Sequence, residues 1–337
     1  MKLLYLSCHE ILEYDEIKLF LELGIDVFSF GAYLNPEKPG LGKRSSLPLK
    51  QDPVALELAK KCTKEKMLPE LINLFDVIFV MHTPAWIVQN WEIMKHKIVI
   101  WRSIGQSTSD VEQLLAPMRA EGLKIVRYSP RERTIPQYNG EDAIIRFYKD
   151  PEEFKGWVGN VPRVMNVTQS MAKRDHFCNF EFYKYLMTGF PWVIYGPENE
   201  WAGRNNAGFV SYDTLKASYQ RNRVYFYTGT FPASYTLNFI EAWMTGIPVA
   251  AIGPRLGNAS FFEGQSTYEI QELIENGVNG FVSDNEDELR EFLLFCLGSR
   301  EFAKQIGESG RKAAIKTFGK DKIKKQWKKF FRRLGKL

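Results

Sequence analysis

The chain has 337 residues, 45% of them apolar and 25% charged, a globular composition long enough for two domains with separate cores. The net charge of +5 is unevenly placed: from Arg311 onward twelve Lys/Arg face a single acid, Asp321, and this excess of eleven cations leaves −6 on the preceding 310 residues. Cys8, Cys62, Cys178 and Cys296 stand far apart with no CxxC pair, which excludes a disulfide-framed fold, argues against a cysteine metal site and points to thiols in a reducing compartment.

Leu3–Leu6 reads as a first strand, too short for a signal-peptide core, and no apolar run approaches a membrane span, so a cytoplasmic protein is expected. A helix from about Ile11 to Leu23 ends at Gly24, which can supply a C-terminal cap, and Val27–Phe30 follows as a strand. Ala32 to Pro53, rich in Pro, Gly, Lys and Ser, reads either as an exposed loop where an acceptor enters or as a surface insertion. Strands are predicted at Asp76–Met81, Ile98–Trp101 and Lys124–Tyr128, with Ala143–Phe147 closing the series. Pro, Gly and acidic residues cluster over 150–159, and the alternation then begins again. It runs through strand Arg163–Thr168, helix Phe180–Thr188, strand Trp192–Tyr195, helix Tyr212–Gln220, strand Arg223–Tyr227, helix Leu237–Thr245 and strand Val249–Ile252. Alternating strands and helices imply parallel sheets, hence an α/β protein with two doubly wound, Rossmann-like domains facing a central cleft. The expected divisions are 1–155, 156–315 and a basic amphipathic helix over 316–337.

The most informative stretch is Tyr227 to Val249, YTGTFPASYTLNFIEAWMTGIPV. A strand ends in a loop of small residues, a helix begins near Thr236, and Gly246-Ile247-Pro248 stops it. Such a junction aims backbone N–H groups and the positive end of a helix dipole at the carboxyl edge of a sheet, where a phosphate can bind. Glu241 follows about one turn later, within reach of ribose hydroxyls. The same residues also make a plain helix–turn–strand.

Glu241 to Val249 resembles the E-A-x-x-x-G-x-P-V signature of the retaining GT-B glycosyltransferases typified by sucrose synthases and mannosyltransferases. Gly208-Phe209-Val210-Ser211 with the following Leu215, and Glu275 to Val282 (ENGVNGFV), are similar to two further elements of that family, in the same order, between Val164 and Phe295. The resemblance implies a GT-B fold and transfer of a sugar from a UDP- or GDP-sugar with retention, with no metal and no cofactor beyond the donor. It places Glu241 on the donor ribose; Ser234, Tyr235, Thr236 and Leu237 around the diphosphate; Val210 and Ser211 at the base; and Gly196, in Gly196-Pro197-Glu198, in the loop lining the nucleotide pocket. Ser234 and Thr236 as helix caps, Gly196-Pro197 as an ordinary turn and Glu241 as a surface-helix residue are the plainer readings.

Two departures stand out. The family's first glutamate, eight positions before the second, is Ala233 here, which leaves the sugar unidentified. The family's diphosphate-neutralising Arg and Lys have one counterpart, the Lys173-Arg174 pair, which also reads as a solvated helix start. A cation there would stabilise charge developing on the departing diphosphate.

In the first half, Cys8-His9-Glu10 and His82-Thr83-Pro84 follow strands and belong at a cleft edge. The resemblance makes His82 the candidate for contact with the transferred sugar or for proton transfer, against the reading of a locally bonded loop residue. Ser103 to Ser107 is another Gly-centred loop there. The tail, Gly319 to Leu337, sets Ile323, Trp327, Phe330, Phe331 and Leu334 on one helical face and Lys/Arg on the other. It reads as the last helix packing back on the N-terminal domain, as a peripheral contact with the inner face of a membrane, or as a DNA contact. The acceptor would accordingly be a glycan, a lipid or modified nucleic acid. A catalytically silent binding protein of the same fold and a sugar-nucleotide epimerase are the rival readings.

Overall fold

The computed structural model describes residues 1–35, 46–105, 107–258 and 264–336. Its contacts divide the chain into two units, Met1–Phe147 with Ile323–Leu337, and Tyr148–Lys322.

The first unit contains β1 (Lys2–Leu6), α1 (Glu10–Glu22), β2 (Asp26–Phe30), α2 (Pro53–Ala59), α3 (Pro69–Asn73), β3 (Val77–Met81), α4 (Pro84–Met94), β4 (Ile98–Arg102), α5 (Ser109–Ala120), β5 (Lys124–Arg127) and β6 (Ala143–Ile144). All pairs are parallel, in the order β2-β1-β3-β4-β5-β6. The central strand β3, VIFVM, is buried at all five positions, as a parallel strand covered on both faces requires. His9 starts α1 by accepting the Leu12 amide at 3.3 Å, and Gly24, at φ +76°, ends it where other residues would be strained. The last predicted strand shrinks to two residues, Ala143–Ile144. The segment read as an exposed loop, 32–53, is partly outside the described residues, but Leu47 and Leu49 within it are buried, and Gln51 bonds Ser29 and Leu34.

The second unit contains β7 (Val161–Val167), α6 (Asp175–Cys178), α7 (Phe180–Leu186), β8 (Trp192–Tyr195), β9 (Asn206–Gly208), α8 (Tyr212–Arg221), β10 (Asn222–Tyr227), α9 (Leu237–Thr245), β11 (Val249–Ile252), α10 (Pro254–Gly257), α11 (Ile270–Leu273), β12 (Phe281–Ser283), α12 (Glu286–Gly298) and α13 (Arg300–Phe318). The sheet is again parallel, ordered β12-β11-β10-β7-β8-β9. From β7 the chain builds outward through β8 and β9, then returns to add β10, β11 and β12 on the other side. The order therefore reverses between β7 and β10. In open α/β sheets ligands bind beyond the carboxyl ends of the strands at such a switch point.

The seam lies at 147/148 rather than 155/156. The intervening segment is tied into the second unit by Lys149, whose amide donates to Phe318 O at 3.1 Å, and by buried Phe154, whose ring meets Tyr212 edge-on at 6.0 Å. The final helix, α14 (Lys320–Arg333), starts in the second unit and belongs to the first from Ile323 onward. Its Ile323, Trp327, Phe330 and Phe331 are buried, with Trp327 against Phe20 and Phe79 and stacked on Phe331. Those side chains belong to the core of the first unit. No helix among the described residues is long and apolar enough to cross a membrane.

Candidate functional site

The loops after β7 and β10 flank the switch point of the second sheet. The β7 loop is held by a residue that the sequence did not single out, Asn199. Its buried side chain donates to Thr168 O (2.7 Å) and Gly196 O (3.1 Å) and accepts the Met171 amide (3.0 Å). Gly196 packs so closely that a Cβ would sit 2.5 Å from the Thr168 carbonyl oxygen, and its φ of +124° disfavours other residues. Ser170 and Glu198 adopt left-handed backbone, φ +50° and +60°. Strain of this kind, of order 1–3 kcal/mol per residue, persists only where surrounding bonds enforce it.

The two predicted cations lie on this loop. Lys173 is exposed and bonds Glu198 at 2.8 Å, while Glu198 also accepts the Ser170 hydroxyl at 3.0 Å. The Lys173 hydrogen bond raises the lysine pKa and holds the Glu198 carboxyl below the usual range. Lys173 is thus a cation with a weak, solvent-screened partner. Arg174 donates to Gln169 O at 3.3 Å.

On the other flank, Thr228 closes β10 with its side-chain oxygen enclosed and without a hydrogen-bond partner. Gly229 turns at φ +73°. Thr236 occupies the N-cap position of α9 but makes no side-chain cap bond; its hydroxyl goes to Asn238 instead. Asn238 accepts the Phe239 amide at 2.9 Å and donates to Val167 O, fastening the first turn of α9 to the end of β7. Thr236 and Leu237 are half-buried at this helix start. Ser234 and Tyr235 are buried behind it: Ser234 O accepts the Glu269 amide at 3.1 Å and the Tyr235 ring packs on Phe318 at 5.0 Å. Of the four residues expected around a diphosphate, two stand at the helix N-terminus and two in the wall supporting it.

Glu241 lies in the second turn of α9, only 3% exposed, which rules out a surface-helix residue. One oxygen, Oε1, accepts Lys149 Nζ at 2.7 Å and the Tyr212 hydroxyl at 2.8 Å; Oε2 accepts the Tyr219 hydroxyl over a longer 3.4 Å. Lys149 is itself 1% exposed, so this is a fully buried ion pair. Burial, and then the Glu241 charge, hold the Tyr219 phenol well above its ordinary pKa.

Ser211 caps α8, accepting the Thr214 amide at 3.2 Å, and Val210 beside it is half-buried. In the 275–282 turn, Asn276 exchanges hydrogen bonds with Val282 (2.7 and 2.9 Å) and Asn279 accepts the Glu275 amide at 2.8 Å. The Asn279 carbonyl receives Trp243 Nε1 of α9 at 2.9 Å, so this turn braces the helix that carries Glu241.

In the first unit His82 ends β3 at φ +60°, its amide donating to Arg102 O at 2.8 Å and its carbonyl accepting Trp101 Nε1 at 2.5 Å. Its Nδ1 is enclosed without a hydrogen-bond partner, and burial pushes the imidazole pKa down, keeping it neutral at pH 7. In the 103–107 loop, Gln106 lies outside the described residues, and Ser103 is buried with its hydroxyl on Glu132 at 2.8 Å. All four cysteines are free thiols. Among the described residues no group of three or more His, Cys, Asp or Glu is placed to hold a metal.

No protein-family model and no curated protein matches the chain by sequence. Solved structures do match. The Anabaena protein HepE in complex with UDP-glucose is 14% identical over 100% of both chains, with a TM-score of 0.69. Sucrose-phosphate synthase from Thermosynechococcus elongatus is 13% identical over 99% of both chains, also at 0.69. The lipopolysaccharide outer core galactosyltransferase WaaB is 12% identical over 99% of both chains, at 0.58. Two six-stranded parallel sheets wound with helices, matched end to end by these structures, give the chain the fold of the GT-B glycosyltransferases.

Proposed function

We propose that this chain is a glycosyltransferase that takes a UDP- or GDP-sugar at the carboxyl edge of the second sheet and passes the sugar to an acceptor bound at the edge of the first. The observation that carries the reading is the β7/β10 switch point, where the nine-residue helix α9, without a side-chain cap, meets an enclosed, unpartnered Thr228 hydroxyl and a loop bearing two cations. HepE, of matching fold, holds UDP-glucose. The start of α9 at Thr236 and Leu237 would receive the diphosphate, with Lys173 and Arg174 adding positive charge and no metal taking part. Glu241 Oε2, with only the long Tyr219 bond, would take the ribose hydroxyls, and the loops of Gly196 and of Val210-Ser211 would meet the base. In the retaining reaction that the sequence resemblance implies, the acceptor hydroxyl attacks the anomeric carbon on the face the diphosphate leaves. The carbon–oxygen bond to the diphosphate breaks, and a phosphate oxygen takes the hydroxyl proton.

Isothermal titration with UDP, GDP, UDP-glucose and GDP-mannose, followed by mass spectrometry of products, tests the proposal. Binding of one nucleotide pair in the micromolar range, weakened at least tenfold in Glu241→Gln, is expected. Absence of binding by all four would end this reading; binding without donor hydrolysis or transfer would favour a silent binding protein.

The basic stripe supports a second reading, peripheral contact with an anionic membrane surface. Lys325, Lys328, Lys329 and Arg332 are exposed on α14, with no carboxylate among the described residues in ion-pairing range. With the apolar face buried, contact would be electrostatic, about 1 kcal/mol per cation, and lost in high salt. Co-sedimentation with phosphatidylserine vesicles, compared with a DNA duplex, tests it.

A further inference from the structure

The first sheet has a switch point of its own. β1 pairs with β2 on one side and β3 on the other, so the order reverses between β1 and β3. Ser7 and Cys8 follow β1 here, His82 and Thr83 follow β3, and the Cys8 thiol donates to Met81 O at 3.5 Å.

Lys64 reaches this edge from the connection between α2 and α3. Its Nζ donates to Ser7 O at 2.5 Å and stands 4.6 Å from the centre of the Trp86 ring. The connection is held in place by Asn90 of α4, which donates to Lys64 O (2.9 Å) and accepts the Met67 amide (2.8 Å). Among the described residues Lys64 forms no ion pair within 4 Å. Its nearest carboxylates are committed elsewhere: Glu65 accepts Trp86 Nε1 at 3.0 Å, and buried Glu13 accepts the Ser29 hydroxyl (2.5 Å) and the Ala32 and Tyr33 amides (2.9 and 3.1 Å). Burial pushes the Lys64 ammonium pKa down, as expected for a half-buried cation whose charge is not matched by contact.

An ammonium has three N–H donors, and one carbonyl uses one of them. Close by, the neutral His82 ring keeps its enclosed Nδ1 without a partner, and α4, eleven residues long, begins at Pro84 with Thr83 making no side-chain cap bond. A cation, an imidazole and the positive end of a helix dipole at one switch point favour negative charge.

We propose that the β1/β3 edge of the first sheet binds an anionic group, a phosphate or a carboxylate, carried by the acceptor, with Lys64 as its counter-ion and His82 and the start of α4 as flanking hydrogen-bond donors. The proposal rests on the reading of this edge as the acceptor side.

The test uses the full chain, titrated with glucose 6-phosphate, glucuronate, inorganic phosphate and neutral glucose, and separately with UDP. Alkylation of Cys8, followed by peptide mapping, reports whether a bound probe occupies this edge rather than the basic stripe of α14. At least one anionic probe is expected to bind and to slow Cys8 alkylation where glucose does neither, and phosphate against glucuronate identifies the anion. Lys64→Met should weaken that binding tenfold or more and Lys64→Arg should retain it, both leaving UDP affinity unchanged. The inference is overturned if no anionic probe exceeds glucose, if Cys8 is not protected in the wild-type chain, or if Lys64→Met binds as the wild type does. Anion binding without binding of UDP, GDP, UDP-glucose or GDP-mannose would uphold this site while removing the glycosyltransferase reading, and binding of one of those four without anion binding would do the reverse.

Discussion

Replacing Lys149 by Met leaves the Glu241 carboxylate buried with two tyrosine hydroxyls and no cation. Both partners are essentially inaccessible, at 1% and 4% side-chain exposure and 2.7 Å separation, so solvent cannot compensate. Removing one member of such a pair costs about 3–5 kcal/mol, whereas replacing both by apolar groups is often close to neutral. In this cluster the Tyr212 and Tyr219 hydroxyls would also lose their acceptor, about 1–3 kcal/mol in all. Lys149→Met and Glu241→Leu should therefore each destabilise by roughly 3–5 kcal/mol, and the double variant by only about 2–3 kcal/mol, a coupling of about 3 kcal/mol or more. In scanning calorimetry each single variant should lower the melting temperature of the second unit by about 10 °C, at roughly 2–4 °C per kcal/mol, and the double variant by about 7 °C rather than the roughly 20 °C of two independent losses. Additive single-variant effects would refute the reasoning, because they would mean the two charges do not stabilise one another in the folded chain. The same variants separate fold from function: the double variant should fold yet bind UDP at least tenfold more weakly.

Trp327→Ala removes a fully buried indole that packs on Phe20, Phe79 and Phe331 and lies 5.4 Å from the Arg102 guanidinium. It should cost about 3–5 kcal/mol and raise hydrogen exchange in α14 and α1, read by mass spectrometry. Gly196→Ala forces a Cβ against the Thr168 carbonyl at an unfavourable φ and should cost about 1–3 kcal/mol while weakening UDP binding; Gly298→Ala, with open space around it and no left-handed backbone, serves as the calorimetric comparison. His82 has a folded pKa below its unfolded value of about 6.5, so below that pH the unfolded chain binds a proton that the folded chain does not. Its stabilising contribution is present above about pH 6.5 and falls away as pH drops through the folded pKa. His82→Asn, compatible with left-handed backbone, should flatten the decline of melting temperature between about pH 7 and 5, and an unchanged slope would refute that assignment.

Much of the architecture was legible because its signals are local. Leu237–Thr245 and Val249–Ile252 coincide with the observed α9 and β11, since Gly246 takes φ +91° at the helix end and Pro248 cannot continue the helix. Asn199, Asn238 and Lys149 carried no such signal. Asn199 holds Thr168 across 31 positions, Asn238 holds Val167 across 71, and Lys149, just ahead of a segment that looked like a linker, meets Glu241. The Asp150–Gly159 cluster of Pro, Gly and acids resembled a boundary because composition reports exposure of the backbone, whereas the seam depends on which core claims Lys149 and Phe154.

Periodicity, caps and turn residues act over a few positions, and by themselves they determined that this chain alternates strands and helices and sets polar loops at the carboxyl ends of its strands. Only the tertiary structure decided the strand orders, and with them the two switch points that gather Thr228 with Thr236 and Lys64 with His82. It alone turned the apolar stripe of α14 inward and buried Glu241 against Lys149. Those outcomes depend on contacts between distant segments and on the exclusion of water, where an unpaired charge costs several kcal/mol, and no run of neighbouring residues encodes such a pairing.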